Sequence, residues 1–204
     1  MTQQSFVRTF EDLVETVRAI ARLFETDKVF IIGSQSILLS WPDAPVILRT
    51  SGEIDAYPEN ARLWEITQKE LDPDFPPEAS EEINAFFGEG SDFHRNHGFY
   101  IDGVDENTAR LPPDWNTRAI YKEVDVDDRT VLAVAPCPED AIVSKLARLS
   151  DKDKEFVEAY HAARPLNLDV IVERIKATTL EAELQQRAIG FVNHLAKQPS
   201  GLSG

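Results

Sequence analysis

Apolar residues at Phe6, Phe10, Leu13, Val17, Ile20 and Phe24 recur at helical spacing while Glu11, Glu15 and Arg18 fall on other faces, which predicts an amphipathic first helix. The period then changes. Residues 29–32 are a short unbroken apolar run ended by Gly33, the pattern of a strand buried on both sides. Residues 36–41 predict a short helix stopped by Pro42, and residues 46–48 and 53–57 predict extended chain joined by a bend or bulge at Ser51 and Gly52. Residues 61–71 predict a helix, and the proline-rich "LDPDFPPEAS" is loop before another helix near 81–87.

Further on, "GFYIDGV" (98–104) alternates as a strand does, and "RTVLAVAP" is a strand that Pro136 ends. Between them "ARLPPDWNTR" is turn chemistry, with Trp115 packed over the turn, and "EVDVDD" reads as an exposed turn. Pro138 suits the first position of one long helix to about residue 163, with Ile142, Leu146, Leu149, Phe156 and Tyr160 as its apolar stripe. Arg164-Pro165 ends it. A helix over 168–175 follows, and Thr178, Leu180 and Glu181 open a last helix with a capping-box pattern ahead of Leu184, Phe191 and Leu195. The tail "QPSGLSG" is expected to be disordered. The fold class is α+β: a small mixed sheet flanked by helices in residues 1–136, a C-terminal helical bundle in 137–197 packed on it, and a tail over 198–204.

Composition narrows the function. At 204 residues and a formal charge of −15, the chain can bury a full core but repels anionic surfaces, which argues against a membrane binder or a general DNA binder. One cysteine, Cys137, excludes an intrachain disulfide and fits a reducing compartment. No stretch approaches a membrane span, and the amphipathic N-terminus with its early acids does not read as a signal peptide. The expectation is a soluble cytoplasmic protein.

Two short segments carry chemistry. A buried strand running through Gly33-Ser34 into a helix leaves backbone N–H groups and the hydroxyls of Ser34 and Ser36 for a phosphate, with Gly33 allowing close approach. Such turns are also common in any α/β protein. About twenty residues later Glu53-Ile54-Asp55 places two acids on one face of a strand, where they repel unless a cation or donors lie between them. Mg²⁺ is the natural cation, since it takes one or two carboxylates and leaves its other positions to water and phosphate. A solvated edge strand is the other reading of the same three residues.

Glycine-serine at the end of a first strand, followed by acid-hydrophobic-acid on a second, resembles the nucleotidyltransferase superfamily. Gly33, Ser34, Glu53 and Asp55 are the matching residues, with Glu53 where aspartate is commoner. "PEDAIVSKLARLSDKDKEFV" resembles a helix of the abortive-infection-type, type IV toxin-like nucleotidyltransferases and related bacterial proteins, matching at Lys145, Leu146, Lys152 and Asp153. The resemblance covers residues 29–157. It implies a nucleotidyltransferase-like core, an Mg²⁺ or Mn²⁺ cofactor held by Glu53 and Asp55, and a nucleoside triphosphate held by Gly33, Ser34 and Ser36. It also implies a third catalytic carboxylate, for which Asp102 ranks ahead of Asp125 and Asp127. The residues themselves give Lys145, Arg148 and Lys152 as one basic stripe, and Asp153 on the core face in need of a charged partner, Lys145 or Lys152. The resemblance adds a phosphate contact for Lys145 and Lys152.

The implied activity is Mg²⁺-dependent transfer of a nucleoside monophosphate to a protein or RNA acceptor, with an antitoxin-like protein as a further partner. The alternative is an inert protein of the same fold acting as a binding partner. His94 and His97, with Asp92 nearby, have a spacing that zinc can use, but further ligands are missing and Gly98 suggests a loop. Cys137 at a helix start is placed for a lowered pKa, yet has no histidine partner for nucleophilic catalysis.

Overall fold

Thr9, not an earlier residue, starts the first helix. Its hydroxyl accepts from the Asp12 N–H and the Asp12 carboxylate accepts from the Thr9 N–H, a closed capping box, so α1 is Phe10–Phe24 and Phe6 stays outside it, exposed. The computed structural model describes residues 6–74 and 77–197, and the tail predicted over 198–204 lies outside them. The chain divides into two compact units: residues up to Thr108 together with Ile120–Ala135, and Ala109–Ala119 together with the chain from Pro136.

In the first unit, α1 is followed by β1 (Lys28–Ile32), a 3-10 helix (Ser34–Leu39), α2 (Val46–Arg49), β2 (Glu53–Pro58), α3 (Ala61–Leu71), α4 (Ala79–Phe87), α5 (Asp92–His97), β3 (Tyr100–Gly103), β4 (Ile120–Val126) and β5 (Arg129–Ala135). The five strands form one sheet in the order β3-β2-β1-β5-β4. β1 runs antiparallel to β2 and parallel to β5, β2 is parallel to β3, and β4 is antiparallel to β5, so the sheet is mixed. Val29, Ile31, Ile54, Ala56, Ile101, Val131 and Ala133 alternate onto one face and are buried there with Leu13, Val17 and Ile20 of α1 and Ile83 of α4. The residues between them point to the other face.

Three local expectations are corrected here. Residues 46–48 are helical, because Pro45 arrives with φ −51° and its carbonyl accepts from the Leu48 N–H at 2.9 Å, a turn that overrides the β preference of Val46 and Ile47. The helix expected over 36–41 starts at Ser34 and is 3-10. Finally, only the end of "EVDVDD" is an exposed turn: residues 123–126 belong to β4, an edge strand whose outward positions are polar, and Asp127, with φ 56°, turns the chain into β5.

The second unit contains a 3-10 helix (Trp115–Arg118), α6 (Pro138–Leu146), α7 (Asp151–Ala163), α8 (Leu168–Ala177) and α9 (Ala182–Leu195). α6 packs on α7 and α8, and α8 on α9. The single long helix expected over 138–163 is broken, because Leu149 is left-handed (φ 54°) and Ser150 caps a new helix with Asp153 as its box partner. The capping box expected at Thr178 does not form either. Thr178 instead ends α8, its hydroxyl donating to the Arg174 carbonyl at 2.7 Å, and α9 begins after Glu181. Fully buried Asp140 joins Arg174 of α8, at 3.0 Å, to Arg118, at 3.1 Å, so the segment 109–119 is anchored in this unit by charge. No helix among the described residues is long and apolar enough to cross a membrane.

Candidate active site

The strand period sets Glu53 and Asp55 on the face of β2 opposite buried Ile54 and Ala56. In the sheet register Asp55 stands between Ile32 of β1 and Asp102 of β3, and Glu53 beside Tyr100, so one face of two neighbouring strands, β2 and β3, collects Glu53, Asp55, Tyr100 and Asp102. Asp102 is thus next to the acid pair. Asp125 lies on β4 at the other edge of the sheet, and Asp127 pairs with Arg22 at 2.7 Å.

Gly33 borders the same face. Its φ of 70° and ψ of −158° belong to a region that glycine alone occupies without strain. A β-carbon there would overlap Oδ2 of Asp55 and lie 2.8 Å from its Cγ, so the glycine is required by the backbone and by the neighbouring carboxylate alike. The 3-10 helix that follows has six residues and is too short to build a macrodipole, which leaves local groups as what the turn offers an anion. The Ser36 hydroxyl is buried and donates to the Gly33 carbonyl at 2.8 Å, bracing the turn. Ser34 is half-buried and accepts from Nε2 of Gln35 at 3.2 Å.

Burial, followed by the charge of Glu53, pushes the Asp102 carboxyl above its ordinary value, and a hydrogen bond with Asp55 works the other way. The Tyr100 hydroxyl donates to Oε2 of Glu53, and this bond, then burial, lifts the phenol well above its usual range. The His94 ring lies 5.3 Å from that of Tyr100.

Among the described residues no group of three or more histidine, cysteine, aspartate or glutamate side chains is gathered around a metal position. The donor chemistry on this face does suit Mg²⁺ or Mn²⁺, which takes one or two carboxylates and fills its shell with water and phosphate oxygen. Asp55 and Asp102 are the adjacent pair, while Glu53 has one oxygen on Tyr100.

In the second unit, Asp153 is buried and held by Arg148 at 2.7 Å, by the Ser150 hydroxyl at 2.7 Å and by Lys145 at 3.9 Å. Burial raises its pKa, but these partners together outweigh burial and hold it below the ordinary carboxylate value. Lys145 is buried too, its ammonium 4.2 Å from the centre of the Phe156 ring. Arg148, in the break between α6 and α7, is therefore the nearer partner of Asp153, and exposed Lys152 does not share a helix with Lys145.

The remaining candidates resolve simply. His94 Nδ1 accepts from the Gly90 N–H at 2.9 Å, and His97 stacks on Phe93 with centroids 4.2 Å apart, both on helix α5 rather than a loop. The Cys137 thiol is buried, which pushes its pKa up, contrary to the lowered value its helix-start position suggests.

A glycine-serine turn at the end of β1, with carboxylates on β2 next to it and on β3 beyond β2, resembles the arrangement of the nucleotidyltransferase superfamily. The sequence model of the family described as "Nucleotidyltransferase of unknown function (DUF6036)" matches residues 8–195, and the chain belongs to this family. No curated protein and no solved structure matches the chain.

Two residues of this face escape a sequence reading. Tyr100 shares a face with Asp102 by the period of two, but only the parallel register of β2 and β3 brings it to Glu53. Gln35 sits inside the glycine-serine turn with no pattern of its own.

Proposed function

We propose that the protein is a Mg²⁺- or Mn²⁺-dependent nucleotidyltransferase that moves a nucleoside monophosphate from a nucleoside triphosphate to a protein or RNA acceptor in the cytoplasm. The observation that carries this reading is the pairing of Asp55 with Asp102 on adjacent strands, with the Cα of Gly33 against the Asp55 carboxylate. Asp55, with Glu53 steadied by Tyr100, would hold the metal. Bound Mg²⁺ would neutralise charge on the triphosphate and favour departure of pyrophosphate. The Ser34 hydroxyl donates to a phosphate oxygen, and Gly33 lets the phosphate chain approach the backbone. In the reaction an acceptor hydroxyl oxygen bonds to the α-phosphorus as the bond to the β-phosphate oxygen breaks. Asp102 suits the acceptance of the hydroxyl proton, since burial and Glu53 raise its affinity for one.

The resemblance of the segment around Lys145 and Asp153 to toxin-like nucleotidyltransferases supports a toxin-type role with an antitoxin-like partner. Exposed Lys152 is the residue of that segment we assign to a phosphate of substrate or acceptor. A second reading, an inert partner of the same fold, is favoured by the engagement of Glu53 with Tyr100. Incubation with α-labelled and γ-labelled triphosphates in Mg²⁺ or Mn²⁺, with protein and RNA present, separates the two. Transfer of α-label but not γ-label, lost in Asp55→Asn, is the expected result, and transfer of neither label to any acceptor favours the inert partner.

A further inference from the structure

Three serines lie in or beside the turn that follows β1, and they use their hydroxyls differently. Ser36 donates to the Gly33 carbonyl at 2.8 Å and Ser40 to the Ile37 carbonyl at 3.2 Å, each three residues back. Ser34 does the opposite: its oxygen accepts from Nε2 of Gln35 at 3.2 Å. A hydroxyl has one proton and two lone pairs, so an N–H on one lone pair turns the proton away from that N–H. Among the described residues no acceptor takes it.

Gln35 bears a cost for this contact. It is 1% exposed, and its Oε1 has no hydrogen-bond partner among the described residues. A buried carbonyl without a donor destabilises a fold, and an apolar side chain of similar length would fill the space without that penalty. The amide is therefore unfavourable as packing and makes sense through what its other end does.

We propose that Gln35 is a positioning residue that fixes the Ser34 hydroxyl as a hydrogen-bond donor for the phosphate chain of the substrate. The proposal rests on the nucleotidyltransferase reading and adds to it a residue that touches no substrate. It predicts opposite effects on stability and on phosphate affinity, which a residue that merely braces the turn does not give.

The test is isothermal titration of the full chain with inorganic tripolyphosphate and Mg²⁺, together with thermal unfolding without ligand. Ser34→Ala and Gln35→Met are each expected to weaken binding about tenfold, the size of one hydrogen bond to a charged group. The double variant should bind no more weakly than Ser34→Ala alone, because the amide acts through the hydroxyl. Gln35→Met should unfold at the wild-type temperature or above it. Gln35→Glu, of the same shape, presents only acceptors to Ser34 when ionised, and at a pH that ionises it should bind more weakly than Gln35→Met. Wild-type affinity in Gln35→Met, or effects of the two single variants that add, overturns the proposal while leaving the proposed function standing. A Gln35→Met chain that fails to fold overturns the claim that the buried amide is a cost, and Gln35→Glu then carries the affinity comparison. A wild type that does not bind tripolyphosphate overturns the phosphate site and this proposal together.

Discussion

The Cα of Gly33 lies so close to Asp55 that a β-carbon on it would overlap Oδ2 of the carboxylate. Gly33→Ala should therefore lose about 3 kcal/mol or more, combining strain at φ 70° with the clash. In an Asp55→Ala background the same substitution should cost only the backbone part, about 1–3 kcal/mol. Urea unfolding of the four chains checks this, and equal costs in both backgrounds would contradict the contact.

Asp102 predicts a pH dependence. Its folded pKa is raised above the ordinary 3.8, so the folded chain binds its proton more tightly than the unfolded chain does. Stability is then lost as pH rises from about 3.8 through the folded pKa. At neutral pH Asp102→Asn should unfold at the wild-type temperature or above it, and the difference should close on acidification to pH 4. Thermal scans from pH 4 to 8 without metal measure it.

Asp153 has the opposite sign. Its carboxylate is held below the usual value, so its contribution is complete above about 3.8 and disappears as pH falls through the folded pKa. Asp153→Asn removes the charge that offsets buried Lys145 and should cost about 3 kcal/mol at pH 7, as breaking a buried pair does. The loss should shrink in acid. Denaturant unfolding at pH 7 and pH 3.5 gives both numbers.

The acids of β2 were legible because the strand period alone puts Glu53 and Asp55 on one face, whatever the strand pairs with. Gly33 was legible for a related reason, since a glycine at the end of an apolar run marks a special backbone position. Tyr100 was not, because its partner depends on a strand register that no local pattern encodes. β4 was hidden by its polar outward positions, and the break at Leu149 by the apolar residues on either side of it. Its signal was Ser150 and Asp153, a capping pattern set inside what looked like an unbroken helical stripe.

Tyr100→Phe should leave the fold intact but release Glu53, and about tenfold more Mn²⁺ should then be needed for half-maximal binding, the usual cost of losing a residue that orients a metal ligand. Manganese titration followed by water proton relaxation measures this directly. Unchanged affinity would remove Tyr100 from the site.

The most direct measurement is the unfolding temperature of wild type and Asp55→Asn with and without millimolar Mg²⁺ and a mixture of the four nucleoside triphosphates. A ligand that binds only the folded chain raises that temperature by mass action, about 2.7 kcal/mol of stability at a hundred times its Kd. The account predicts a rise in wild type that needs metal and nucleotide together, and none in Asp55→Asn, whose ligand-free midpoint equals or exceeds wild type because one of two facing carboxylates has gone. The same rise in both chains, or none in wild type, would contradict a metal and triphosphate site at Asp55.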